Sequence, residues 1–369
     1  MIYFDAAATT LQKPPAVAQA VAAAISRCAS VGRGSHAAAQ RAANLVYDCR
    51  ETAAALFEAE PEQVAFTMNA THGLNIAIKS LLSPGDHAVI SGLEHNAVTR
   101  PLSALGAQVT VAAAPLFSPE KTLQAFADAL QTRPKAVICN CVSNVYGEIL
   151  PYEQIAALCR AAQVPLILDA SQAAGVLPLS LRRSGAAFIA MPGHKGLYGP
   201  QGTGILLCSG ASKTLIEGGT GSESERAEMP DFLPDRLEAG THNVCGIAGL
   251  LTGLRYVRQK TTAAIARHER RLLRRLCESL STVRSVELFT GGNQLGVLSM
   301  RLKNTDCEEA AQVLAQNGVA VRAGLHCAPA AHRTGGTLQT GTLRVSFSAF
   351  NTEREMMQFT AICKKLFSS

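Results

Sequence analysis

The chain has 369 residues, 47% of them hydrophobic and 17% charged, with a formal net charge of +6. That composition supplies a full core and excludes disorder as the main state, and the charge excess is too thinly spread for a nucleic-acid-binding face. No apolar run reaches the roughly 18 residues that cross a bilayer, and the start Met1-Ile2-Tyr3-Phe4-Asp5 lacks the basic region of a signal peptide, so a soluble, cytoplasmic chain of two or three domain-sized units is expected. The eleven cysteines are odd in number and scattered, which reads as reduced thiols and not as a disulfide framework. Cys139 and Cys141 alternate on one strand, a spacing that makes no zinc site, and no metal is expected.

In chain order, an alanine-rich helix opened by prolines is predicted over 14–28, and a second helix over 39–57. A strand over 64–68 leads to a helix over 71–82, closed by the turn Ser83-Pro84-Gly85-Asp86. Short apolar runs follow at 87–91, 108–112, 135–141, 164–169, 186–191 and 204–208, most of them separated by helical patterns. Buried strands alternating with helices imply an α/β fold with a mainly parallel sheet and helices on both faces. The stretch 218–240 is rich in Gly, Ser, Glu and Pro, has no periodicity, and is predicted to be a long functional loop. Helices over 244–258 and 261–280 lead to strands near 286–289 and 296–301. A helix over 306–316, strands near 319–322 and 343–347, and a closing helix from 352 imply a smaller α+β domain. The basic cluster from Arg267 to Arg275 alternates with leucines on one of these helices and reads as a solvated face. The expected division is an N-terminal segment 1–14, a large domain 15–255 and a small domain 256–369.

In an open parallel sheet, ligands bind beyond the carboxyl ends of the strands. One buried run ends in Asp169, followed by Ser171 and Gln172; a carboxylate there is often only a helix cap. The next run ends in Pro192-Gly193-His194-Lys195-Gly196, at the start of a glycine-rich stretch where the backbone must turn sharply and approach something closely. A Lys and an Asp at neighbouring strand ends suit pyridoxal phosphate (PLP). That cofactor joins a lysine amine and needs a carboxylate on its pyridine nitrogen to act as an electron sink. A nucleotide site has no support, because no GxxxxGK[ST] occurs and the run 199–204 precedes a strand.

The segment 167–204 resembles the corresponding part of class V aminotransferases of PLP fold type I, and within them the cysteine desulfurases. The likeness covers nearly the whole chain, beginning at Tyr3-Phe4-Asp5-Ala6-Ala7-Ala8-Thr9-Thr10, which is similar to the family's opening segment over the active site. It implies a large domain built on a mainly parallel seven-stranded type of sheet, plus the smaller domain. It implies that Lys195 carries the cofactor, Asp169 partners the pyridine nitrogen, and Gln172 and Asn144 meet the phenolic oxygen. His95 would stack on the ring and shuttle protons. Thr71 and His72, between a strand and a helix, would hold the phosphate together with His194. Thr241, in Glu238-Ala239-Gly240-Thr241-His242-Asn243, would reach the phosphate of a neighbouring subunit, implying a homodimer with shared active sites. The family's usual serine before the lysine is Pro192 here, which offers neither a side-chain donor nor an N–H, and His72 stands where an acidic or small residue is common.

The stretch Val321-Arg322-Ala323-Gly324-Leu325-His326-Cys327-Ala328-Pro329 resembles the catalytic-cysteine loop of group II cysteine desulfurases. Arg322 and His326 precede Cys327, and His332 and Arg333 follow; nearby cations raise a thiol's thiolate fraction. Arg344 matches the arginine that clamps the substrate carboxylate, with Arg322, Asn144 and Ala7 beside the substrate. Thr334-Gly335-Gly336-Thr337 departs from the family pattern. The resemblance implies conversion of L-cysteine to L-alanine, with the sulfur held as a persulfide on Cys327 for an acceptor protein. A selenocysteine lyase, a class V transaminase acting on another amino acid, and a scaffold that keeps the fold without turnover are the alternatives.

Overall fold

Seven short strands pair into one sheet in the order Val64–Thr67, Gly204–Cys208, Phe188–Pro192, Leu166–Asp169, Ala136–Asn140, His87–Ser91 and Gln108–Ala112. All run parallel to their neighbours except Gly204–Cys208, which is antiparallel to the strands on either side. This is the α/β arrangement expected from the apolar runs. The computed structural model describes residues 1–32, 34–210 and 212–367.

The four adjacent strands from Gly204–Cys208 to Ala136–Asn140 are buried along their whole length, which is why they read as unbroken apolar runs. Their side chains still alternate between two cores. Val137, Leu168 and Ile189 pack on one face, while Ile138, Ile167 and Phe188 pack on the other. On one side Ala37–Phe57 packs on Val244–Lys260, which also carries Pro15–Arg27; on the other Ala70–Leu81 crosses the strands.

A second, antiparallel sheet has the order Arg322–Gly324, Thr342–Ser346, Val297–Leu302 and Val286–Phe289. Its core is closed by the helices Thr262–Leu280, Cys307–Gln316 and Glu353–Phe367. Along Thr262–Leu280 the buried residues Ile265, Leu272, Leu276 and Leu280 recur at helical spacing, while Arg267, Arg270, Arg271 and Arg274 face outward. Arg271 and Arg275 pair with Glu353, as a solvated basic face allows.

Several elements differ from the sequence reading. Ile2–Tyr3 is a strand, paired in parallel with Val319–Ala320, and the run expected near 319–322 divides between two sheets. Val319 turns into the small core, whereas Arg322 is exposed and lies opposite Arg344 at the edge of the second sheet. The short helices Leu181–Ser184 and Pro329–Thr334 escape detection because neither is long enough to show a period. Phe4 is fully buried in the small core, edge-on to Phe347 at 4.9 Å and Phe359 at 5.4 Å, so the N-terminal segment is anchored before it crosses the sheet ends. The stretch 218–240 is irregular apart from a short turn of helix at Asp235–Leu237, as expected of a loop. No helix among the described residues is long and apolar enough to cross a membrane.

The turn after Asp169 and the loop carrying Lys195 meet backbone to backbone. A Cβ on Gly175, whose φ is +84°, would lie 2.0 Å from the Gly196 carbonyl oxygen, and one on Gly196 would lie 2.3 Å from that of Ala174. Gly175→Ala is therefore expected to destabilise the protein by about 3 kcal/mol through overpacking and a forced left-handed backbone. A thermal unfolding scan by circular dichroism that finds no loss would contradict this packing.

Candidate active site

The parallel pairing of Leu166–Asp169 with Phe188–Pro192 sets Asp169 beside Ala190, and Lys195 follows just beyond the end of the second strand. Both line a cavity of about 200 Å³ at the carboxyl edge of the sheet, together with Thr71, His95, Asn144, Gln172 and His194. Pro192 lines it too and, as expected, offers no donor. The Oδ1 of Asp169 accepts the N–H of Ser171 at 2.9 Å and the Ser171 hydroxyl; its Oδ2 has no partner among the described residues. Burial pushes the Lys195 amine down to about 8 against the pull of Asp169, so a sizeable neutral fraction exists near physiological pH.

His95 caps the helix Asn96–Ala104, its Nδ1 accepting the N–H of Ala97 at 3.0 Å, which puts the ring proton on Nε2. Burial lowers its pKa. Beside it, Glu94 is wholly buried, with Oε1 accepting from Ser91 and from the Asn140 N–H, and burial pushes its carboxyl up to about 8. Glu94 therefore holds its proton at neutral pH and places no full charge beside Asp169. His194 meets the Thr9 hydroxyl at 3.0 Å, and burial lowers its pKa to about 4. Gln172 donates to the carbonyl of Ala7 at 3.0 Å, and the Ala7 N–H donates to the Ser346 hydroxyl at 2.9 Å, which ties the opening segment to both sheets.

The helix Ala70–Leu81 begins at the cavity. Asn69 caps it by accepting the His72 N–H at 2.9 Å, and Ala70 and Thr71, whose first-turn N–H groups have no acceptor within the helix, line the cavity wall. His72 and Thr241 lie elsewhere. Both line a separate cavity of about 160 Å³ with Phe66, Glu238 and His242, and the His72 ring accepts the Met68 N–H at 3.3 Å. Within one chain these two residues are not brought to Lys195. The segment bearing Thr241 is fixed by buried Glu238, which binds Arg50 and, at 2.7 Å, His242.

Cys327 is the exposed cysteine among the described residues. His326 and Cys327 take φ values of +48° and +57°, a left-handed turn that non-glycine residues adopt only when their surroundings hold them. The holding contacts come from segments that follow two strands of the large sheet. Asn96 donates its N–H to the Cys327 carbonyl at 2.8 Å, and Asn144 donates its side-chain amide to the His326 carbonyl at 2.8 Å. Asn144 Oδ1 remains buried without a partner. The expectation that histidines lend positive charge to the cysteine is corrected here. Burial lowers His326 to about 2 and His332 to about 4, so both are neutral, and the lasting cations of the segment are the exposed Arg322 and Arg333. The departing stretch 334–337 stitches the loop to the large sheet: Thr337 meets His332 and the Tyr146 hydroxyl, each at 2.7 Å, and Thr334 donates to the Gly92 carbonyl at 2.7 Å.

Arg344 is 2% exposed. One terminal nitrogen pairs with Asp5 at 2.8 Å and the other donates to the Asn144 carbonyl at 3.0 Å, while its Nε is buried without a partner. Glu94 and Asn96 are site residues that sequence reasoning misses; Asp5, in the opening segment, and Thr337, in the stretch that departs from the family pattern, carried a signal but no role.

Residues 2–359 match the aminotransferase class-V family. The chain is 30% identical over 376 residues to a probable cysteine desulfurase of Methanothermobacter thermautotrophicus, covering 96% of this chain and 92% of that one. Among solved structures, it superposes on an apo cysteine desulfurase from Thermococcus onnurineus with a TM-score of 0.91 at 27% identity, covering 99% and 94% of the two chains. An Escherichia coli cysteine desulfurase gives a TM-score of 0.86 at 26% identity, with the same coverage. The chain thus belongs to the class V aminotransferase family and, within it, to the cysteine desulfurases.

The cavity fits the PLP that this family employs. It offers an amine held down to about 8, a carboxylate oxygen without a partner among the described residues, first-turn helix N–H groups for a phosphate, and an orphaned amide oxygen. Because the Lys195 amine is held down to about 8, the rate at which cofactor-free protein takes up PLP should climb between pH 7 and 8 and level off above it. Stopped-flow absorbance would check this; a rate still climbing tenfold per unit at pH 10 would mean an ordinary lysine.

Proposed function

We propose that this cysteine desulfurase binds PLP between Lys195 and Asp169 and moves the sulfur of L-cysteine onto Cys327, releasing L-alanine. The observation that carries the reading is the placement of an exposed thiol on a strained turn gripped by Asn96 and Asn144, residues next to or within the Lys195 cavity.

Bound there, the cofactor supplies an electron sink that weakens bonds at the substrate's α-carbon. Asp169 would present its unengaged oxygen to the ring nitrogen and hold a proton there. Thr71, at the first turn of its helix, and His194 would hold the phosphate, Gln172 and Asn144 would meet the ring's oxygen, and His95 would offer its Nε2 proton beside the ring. Arg344 clamps the substrate carboxylate, with Arg322 adding positive charge and Ala7 shaping the wall. Lys195 takes the α-proton and returns it, a task suited to an amine poised near neutrality. The Cys327 thiolate attacks the substrate sulfur. The S–S bond forms as the Cβ–S bond breaks, the released electron pair takes up a proton, and alanine leaves.

Thr241 and His72 share a cavity apart from Lys195 in their own chain, which supports Thr241 serving the phosphate of a partner in a homodimer. The exposure of Cys327 supports delivery of its sulfur to an acceptor protein. The two sheets support a division into the segment 1–14, a large domain 15–255 and a small domain 256–369. A cytoplasmic setting agrees with the eleven cysteines.

Cofactor-loaded protein incubated with L-cysteine should yield alanine and sulfide, and Cys327→Ala should lose about 100-fold or more of that activity while keeping its cofactor absorbance. Turnover that survives in Cys327→Ala would point to a transaminase. Rates on L-selenocysteine measured alongside separate a desulfurase from a lyase for selenium.

A further inference from the structure

Arg344 is buried, and a buried guanidinium needs its donors matched. Two corners are occupied: Asp5 Oδ1 holds one terminal nitrogen at 2.8 Å and the Asn144 carbonyl holds the other at 3.0 Å. The Nε–H is left buried and unspent. Arg322 stands directly opposite Arg344 on the neighbouring strand, an arrangement of like charges that is unfavourable without a nearby anion.

Asp5 is also fixed in place. Its backbone bridges Ser346 on the Arg344 strand, Phe4 before it is fully buried, and its carbonyl accepts the Ala8 N–H at 3.1 Å. A carboxylate on so rigid a mount orients its partner and does not swing away from it.

We propose that Asp5 is a positioning residue for substrate recognition: with the Asn144 carbonyl it sets the plane of the Arg344 guanidinium, so that the unspent Nε–H edge receives the α-carboxylate of the amino-acid substrate. This rests on the desulfurase reading, in which Arg344 binds that carboxylate. It goes further in assigning the selection of a free carboxylate to Asp5, whose side chain need not touch the substrate.

The test compares cofactor-loaded wild type, Asp5→Asn and Asp5→Glu in steady-state kinetics on L-cysteine. It adds the dissociation constants of L-alanine and L-alanine methyl ester, read from the cofactor's absorbance. Asp5→Asn should raise KM about 10-fold or more with kcat within about 3-fold, and should erase the preference for alanine over its ester. Asp5→Glu, which keeps the charge at a longer reach, should fall between. A KM that stays put overturns the proposal, as does one that falls, which would make Asp5 a competitor of the substrate. Equal weakening of alanine and ester binding also overturns it, since that marks a purely structural role. If Asp5→Asn does not fold, Asp5→Glu decides: an unchanged KM and an unchanged alanine-to-ester preference sink the idea. If wild type makes no alanine from cysteine, the functional reading fails, while the alanine-to-ester preference still decides the role of Asp5.

Discussion

The site depends first on the parallel pairing of two fully buried strands, Leu166–Asp169 and Phe188–Pro192. Parallel strands end at the same edge, so the carboxylate that closes one and the lysine that follows the other emerge side by side. The glycine contact between the turns that follow, Gly175 against Gly196, holds the two loops closer than side chains would permit. The low pKa of Lys195 is a consequence of that position: the amine is desolvated at the base of a cavity, and Asp169 only partly offsets the loss of water.

The second sheet completes the site through a few polar links across the two cores. Asn144 is the hub, with its carbonyl on Arg344, its amide on the His326 carbonyl and its Oδ1 unspent. Asn96 adds a hydrogen bond to the Cys327 carbonyl from the residue next to His95, so one backbone hydrogen bond links the proposed nucleophile's loop to the proposed proton carrier's segment. The opening segment closes the arrangement by docking Phe4 in the small core and Ala7 on Gln172. Neutral histidines are a recurring feature. His194, His326 and His332 are all desolvated enough to stay uncharged, so none of them adds positive charge to the site.

Much of this was legible in the chain. The central strands are buried on both faces and read as apolar runs, so the parallel sheet, and with it Asp169 and Lys195 at neighbouring ends, follows from local pattern. Cys327 stood out because its loop is polar and glycine-containing while most other cysteines sit in apolar surroundings. What was hidden depends on contacts between distant segments. The neutrality of His326 and His332 is set by burial in the folded chain, with the nearby Arg344 charge adding to it, while the hydrogen bonds to Thr342 and Thr337 pull the other way. The partner of Arg344 is Asp5, at the other end of the chain. His72 sits next to Thr71 in sequence, yet a helix turns adjacent residues in different directions, and its ring falls into a second cavity with Thr241. The strand Ile2–Tyr3 was too short to show alternation.

The central claim is that sulfur leaves the substrate by way of Cys327. The most direct measurement is the mass of the peptide containing Cys327 after a single turnover of cofactor-loaded protein with L-cysteine, protected from reductant. The account predicts a gain of one sulfur atom on that peptide, in step with the alanine formed. Alanine appearing with no added sulfur on Cys327, or with the sulfur on another cysteine, would contradict it.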